Sequence, residues 1–134
     1  MPASSFFDSS VLLYIVTSDD WRSEIAANLL ISGGVVSVQV LNEFVNVSRR
    51  KFRQEWKEIE EDLRDIRRFC GPIVPITLAT HEAALRIAQR YGYRIYDSLL
   101  LAAAIESGCT TLYSEDMQDG QVIGSLTIRN PFAP

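Results

Sequence analysis

The chain has 134 residues, 47% hydrophobic and 22% charged, which is the length and balance of one globular domain spanning 1–134 and far from disordered, collagenous or repeat compositions. Two cysteines (Cys70, Cys109) and a lone histidine (His81), with no CxxC and no paired-His spacing, exclude the usual zinc sites and fit a reducing, cytoplasmic setting. A net charge of −4 and a pI near 5.0 exclude gripping nucleic acid by bulk charge, so any such partner must be met by a local patch or a bound cation.

The start, Met1-Pro2-Ala3-Ser4, has neither the basic region nor the apolar run of a signal peptide. Ser4 to Phe7 reads as a strand, Asp8-Ser9-Ser10 as a turn and cap, and Val11 to Val16 as a helix. Arg22 to Ile31 is a second amphipathic helix stopped by Gly33-Gly34, and β-branched Val35 to Val38 reads as a buried strand. Residues 39 to 52 turn helical, with Val40, Leu41, Phe44, Val45 and Val47 at spacings of three and four. Trp56, Ile59, Leu63, Ile66 and Cys70 mark the inner stripe of a charged amphipathic helix ended by Gly71-Pro72.

Ile73 to Ile76 is a short strand whose proline suits a sheet edge. Ala79 to Tyr91 is helical, with Gly92 placed as its left-handed cap. The helix from about Ser98 to Ser107 is apolar on every side from Leu99 to Ile105, which predicts a central, covered position. That stretch, the longest nearly apolar one, is far short of the ~20 residues a bilayer crossing needs, so no membrane partner is expected. Thr110 to Tyr113 and Leu126 to Arg129 complete five strands. Short apolar strands alternating with helices predict a parallel α/β sheet covered on both faces, with its site beyond the carboxyl ends of the strands.

Four acids stand at such ends or inside apolar surroundings. Asp8 follows the first strand, Asp116 closely follows the fourth, Asp97 opens the most apolar helix, and Glu43 sits early in a helix among apolar neighbours. Each has a plain reading as a cap, a turn residue or an acid favoured by the helix dipole. Together they would crowd like charge and raise one another's pKa unless a cation compensates. Oxygen ligands without His or Cys suit Mg²⁺, with Mn²⁺ as the substitute, and Mg²⁺ also recruits phosphate oxygens. The chemistry that follows is phosphodiester hydrolysis by metal-activated water.

At these positions the sequence resembles the PIN-domain family, and within it the VapC-like toxin ribonucleases of toxin–antitoxin pairs. The resemblance is carried by Phe6-Phe7-Asp8-Ser9-Ser10-Val11-Leu12, Leu41-Asn42-Glu43-Phe44, Tyr96-Asp97-Ser98-Leu99 with the apolar run to Ala104, and Leu112 to Gly120. It implies a three-layer α/β/α fold with a five-stranded parallel sheet of order 3-2-1-4-5. It also implies Asp8, Asp97 and Asp116 as metal ligands and Glu43 as a ligand through water or an orienter of the attacking water. Ser114 matches the family's supporting hydroxyl. Asp119 either serves a second metal or stabilises the turn with Gly120. An RNA substrate, a cognate antitoxin and a homodimer come with the same resemblance. Glu115 is an extra acid beside Asp116, expected to point away because neighbours in an extended stretch alternate.

Between residues 49 and 68 lie eight of the 13 basic residues. Their plain reading is an exposed helical hairpin laced with ion pairs; the resemblance makes Arg49, Arg50 and Arg53 phosphate contacts. His81 reads as a surface residue, Cys70 and Cys109 as packing, and Trp21 and Trp56 as anchors of a core or dimer face. The alternative to a nuclease is a non-catalytic PIN-like module that binds protein or RNA. A phosphoryl-aspartate enzyme ranks behind both, because its lysine would have to be Lys51 or Lys57 of the charged hairpin.

Overall fold

A computed structural model describes residues 5–17 and 20–134. Ser4, the first residue of the expected opening strand, lies outside them. The elements in chain order are β1 (Ser5–Phe7), α1 (Ser9–Thr17), α2 (Trp21–Ile31), α3 (Val38–Arg50), α4 (Trp56–Phe69), α5 (Leu78–Tyr91), α6 (Ile95–Glu106), β2 (Thr111–Tyr113), β3 (Val122–Ile123) and β4 (Leu126–Arg129).

The four strands run in the order β1-β2-β4-β3, with β1, β2 and β4 parallel and β3 antiparallel to β4. The strands expected over 35–38 and 73–76 shrink to single bridges, Val35 to Phe6 and Ser37 to Val74, with Gly34 bridging Cys70. Counting those two segments, the parallel order is the expected 3-2-1-4-5 of an α/β PIN-like fold. The reason for the shrinkage over 35–38 is local: Ser37, while still bridged to Val74, already caps α3, its hydroxyl accepting from the Val40 amide at 3.3 Å, so the chain turns helical at Val38. The two-residue β3 is an addition that no apolar run announces.

Successive side chains of a strand face opposite ways. Phe6 and Phe7 are nonetheless both buried, so the central strand is covered on both faces. The main core joins them to Leu12, Phe44, Leu112 and Ile128, and to Leu100 and Leu101 of α6. The expectation of a central α6 is met from Ser98 to Ala104, all buried. Its start moves: the helix begins at Ile95, three residues ahead of Ser98, so Asp97 lies in its first turn and is not its cap. Gly92 ends α5 at φ 78° as expected, and Thr77 with Thr80 forms a capping box at its other end. Trp21 and Trp56 are 53% and 56% exposed, so neither anchors the core. Trp56 instead carries the Arg49 guanidinium at 4.6 Å from its ring. Both cysteines are free and buried, and His81 is exposed. Among the described residues no helix is long and apolar enough to cross a membrane.

Candidate active site

The register of β1 against β2 builds the floor of the site. Phe7 pairs with Tyr113, and the Asp8 amide donates to the Tyr113 carbonyl at 3.0 Å, so the next residues, Asp8 and Ser114, stand side by side. The Ser114 hydroxyl donates to Asp8 Oδ2 at 2.7 Å and accepts from the Asp116 amide at 3.2 Å, which turns the chain and brings Asp116 back over the strand end. Asp8 also precedes the first residue of α1, so two element ends fix it.

Glu43 enters from the second turn of α3. Gln39 Nε2 donates to Glu43 Oε1 at 3.1 Å, and the Ser9 hydroxyl lies 3.2 Å from Glu43 Oε2 and 3.4 Å from Asp8 Oδ1, tying the two acids together. Asp97 comes from the first turn of α6, with Arg94 Nε 4.0 Å from its Oδ2. Glu43, Asp97 and Asp116 line one pocket of about 850 Å³, with Asp8 behind them, hydrogen-bonded to Ser9 of its wall.

Burial pushes all four carboxyls above their ordinary range, and repulsion from neighbouring acids adds to it at Asp8, Glu43 and Asp116. Asp8, 3% exposed, is raised to about 6, first by burial and then by the charges of Glu43 and Asp116, against the Ser114 hydrogen bond. Burial raises Glu43 as well, with Asp97 and Asp116 adding to it and the bonds from Gln39 and Ser9 opposing. Burial raises Asp97 against Arg94. Asp116 belongs to an exposed residue, but its carboxyl is partly desolvated; that raises it first, Glu115 and Asp97 add to it, and Arg94 and Lys51 oppose. The groups opposing Asp8's rise are hydrogen-bond donors and not cations.

Among the described residues no three acidic, His or Cys side chains are gathered tightly enough to hold a metal ion by themselves. An Mg²⁺ ion needs one or two carboxylates and completes its shell with water and substrate oxygens. The all-oxygen set around a buried carboxylate without a cationic partner fits that demand.

Other expected residues are placed differently. Asp119 accepts from the Asn130 amide at 2.8 Å and does not line the pocket, which gives it a turn-holding place. Arg50 and Arg53 are exposed off the pocket, and Arg49 is occupied by Trp56 and by the Gln54 carbonyl, 2.9 Å from its Nη1. Glu115 does not point away. It lines the pocket and accepts from the Tyr14 hydroxyl at 2.6 Å, because the chain is already turning at Ser114 and strand alternation no longer applies. Lys51, expected to stay in the hairpin, lines the pocket too, as do Phe52, Arg94 and Tyr96. Two signals for them stood in the sequence: Lys51 directly follows Arg49-Arg50, and Arg94 and Tyr96 flank the start of the Asp97 motif.

A PIN domain family model matches residues 5–118, most of the chain. The chain belongs to the PIN domain family. Two solved structures share this PIN fold. VapC20 of Mycobacterium tuberculosis, a toxin that cleaves the sarcin-ricin loop, matches at a TM-score of 0.67 and 23% identity, over 84% of this chain and 90% of that one. A toxin–antitoxin complex from Klebsiella pneumoniae matches at a TM-score of 0.72 and 20% identity, over 96% and 98%. No curated protein is significantly similar in sequence to this PIN domain.

Proposed function

We propose that this PIN domain is a Mg²⁺-dependent endoribonuclease, active also with Mn²⁺, and the toxin partner of a cognate antitoxin. The observation that carries the reading is the convergence of Glu43, Asp97 and Asp116 on one pocket at the carboxyl end of the sheet, with buried Asp8 behind it and hydrogen-bonded to Ser9 of its wall, four acids from four separate parts of the chain. The toxin assignment is supported by the two structural matches, one an RNA-loop-cleaving toxin and the other a toxin–antitoxin complex. Free, buried cysteines suit a reducing cytoplasm, and the exposed Trp21 and Ile31 on α2 support a homodimer.

Asp8, Asp97 and Asp116 are the residues that would hold the ion. When bound, it supplies a water of lowered pKa and charge stabilisation on the phosphorus oxygens. The chain's own groups do the rest. Ser114 keeps Asp8 in register and in its ionised form, Ser9 sets the Asp8–Glu43 separation, and Gln39 turns Glu43 so that its other oxygen faces Ser9. Glu43 orients the attacking water and takes its proton, a role suited to a carboxylate whose pKa is lifted by burial.

A phosphoryl-aspartate mechanism regains a lysine in Lys51, but Asp8 is 3% exposed with Oδ2 held by Ser114, a poor posture for a nucleophile. The looseness of the acid set favours one other reading, a non-catalytic module.

The deciding experiment incubates the purified chain with structured RNA. Cleavage should require Mg²⁺ or Mn²⁺ and fall at least about a hundredfold, roughly 3 kcal/mol of transition-state stabilisation, in Asp8→Asn and in Asp97→Asn, with circular dichroism unchanged. Full cleavage by both variants would remove the nuclease reading.

A further inference from the structure

Three of the four acids stand on or beside regular backbone. Asp8 lies between β1 and α1, and Glu43 and Asp97 lie within α3 and α6. Asp116 does not share that support, because residues 114–121 form neither helix nor strand. Met117, buried in the main core, pins this loop inward, but a flexible thioether chain does not fix which way its neighbour points. A carboxylate on such backbone keeps one position only if other groups hold the loop.

Two tyrosine hydroxyls do so, one on either side of Asp116, and each comes from a segment joined to another acid of the site. From α1, which starts at the residue after Asp8, Tyr14 donates to Glu115 Oε1 at 2.6 Å, while the Glu115 amide donates to the Ser10 hydroxyl of the same helix at 3.2 Å. The Tyr14 ring is gripped in turn by the edge of Phe132, 4.7 Å between centroids, and by the Arg22 guanidinium at 5.0 Å. On the far side stands Tyr93, packed on the main core one residue before the Arg94 cap of α6. Its hydroxyl accepts from the Gln118 amide at 3.4 Å and donates to Gln121 Oε1. The Gln121 amide returns to the Gln118 carbonyl at 3.3 Å and the Gln121 carbonyl accepts from Ile128 of β4 at 2.9 Å, so Tyr93 grips a turn that the sheet already anchors.

Resting on the Mg²⁺ reading above, we infer that Tyr14 and Tyr93 are positioning residues that fix where Asp116 stands relative to Asp8 and Asp97. Tyr14 ties the loop to the helix that follows Asp8, and Tyr93 ties it to the start of the helix that carries Asp97. Glu115, which lines the pocket without belonging to the four acids, is the tether through which Tyr14 acts. Such rigidity bears on the choice of ion. Mg²⁺ demands near-ideal octahedral geometry at about 2.0–2.1 Å, whereas Ca²⁺ accepts flexible arrangements of oxygens at about 2.3–2.6 Å. A loop held at two points favours the smaller ion, and a loosened one gives up Mg²⁺ first.

The test measures Mn²⁺ binding to the intact chain at pH 8 without RNA, from the electron paramagnetic resonance of the free ion, with Mg²⁺ and Ca²⁺ as competitors. Tyr14→Phe and Tyr93→Phe should each weaken Mn²⁺ by roughly tenfold, the scale of groups that orient metal ligands, and should weaken Mg²⁺ more than Ca²⁺. Gln121→Leu should behave like Tyr93→Phe, and Gln121→Glu, which keeps an acceptor for the Tyr93 hydroxyl, should bind like the parent. Tyr91→Phe, at the end of α5, makes the same chemical change off the loop and should leave ion binding unaltered. Tyrosine variants that melt earlier without metal yet bind Mn²⁺ like the parent have lost a structural bond only and overturn the inference. Variants that weaken Mg²⁺ and Ca²⁺ alike also overturn it, as does a Gln121→Glu that binds no better than Gln121→Leu. A parent that binds neither Mn²⁺ nor Mg²⁺ overturns the Mg²⁺ reading and the inference with it, whereas a parent that binds both, beside unchanged tyrosine variants, overturns the inference alone.

Discussion

Ser114 stabilises the charged form of Asp8 by donating to it at 2.7 Å while its own oxygen is occupied by the Asp116 amide. Ser114→Ala removes the donor and leaves a buried carboxylate short of one hydrogen bond, a loss of about 1–3 kcal/mol where Asp8 is ionised. Asp8 then titrates above its present value of about 6. The stability loss should accordingly be large at pH 8 and vanish near pH 5, where the carboxyl is protonated with or without the serine. The acid limb of the pH–rate profile should move to higher pH, so that activity at pH 6 falls more than at pH 8. Equal losses at both values, by denaturant melts and initial rates, would exclude the serine as Asp8's donor. The four acids were legible in the sequence because charge beside apolar element ends is out of place there. Tyr14 and Glu115 were not, because their bond joins positions 101 residues apart through side-chain rotamers that no periodicity encodes.

At the scale of elements, helices were legible to within a few residues because each repeats its apolar stripe over several turns. The strands over 35–38 and 73–76 were overstated, since β-branched runs cannot reveal that a serine ends the pairing to cap the next helix. The α6 start was misplaced because Ile95 and Tyr96 precede the continuous apolar run. Gly34 shows how tightly those bridges are packed. A Cβ there would lie 2.3 Å from Phe7 Cε2 and 2.8 Å from Cζ, and Phe7 is 1% exposed, so its ring has no room to move. Gly34→Ala should destabilise by about 1–3 kcal/mol, read as a lower urea midpoint at unchanged slope. Because Phe7 is the residue before Asp8, the same variant should also lower RNA cleavage. Gly71→Ala, with nothing within 4 Å of its Cβ, is the control and should stay within about 0.5 kcal/mol of the parent. A neutral Gly34→Ala would mean that β1 can shift sideways, and with it the floor of the site.

For the molecule as a whole, gathering acids in a protein already at net charge −4 costs stability that a divalent ion can return. Without metal, Asp8 has a pKa of about 6 when folded against 3.8 as its ordinary value, so between those limits the folded state binds the extra proton. Stability therefore falls as pH rises from 4 to 6, by on the order of 2–3 kcal/mol from this group, and then levels. The upward shifts of Glu43, Asp97 and Asp116 act in the same direction. A divalent ion binds the deprotonated acids, so it should add about 2.7 kcal/mol at pH 8 when present at a hundred times its dissociation constant, and clearly less near pH 5, where Asp8 is mostly protonated. Thermal melts across pH, with EDTA and with millimolar Mg²⁺ or Mn²⁺, read both effects: the descending curve should flatten when metal is added. Asp8→Asn should flatten the metal-free curve by itself and shrink the shift from Mg²⁺, separating loss of a buried charge from loss of a ligand. A parent whose melting temperature ignores both ions at pH 8 would have a pocket that holds no catalytic metal, and the same PIN fold would then serve binding alone.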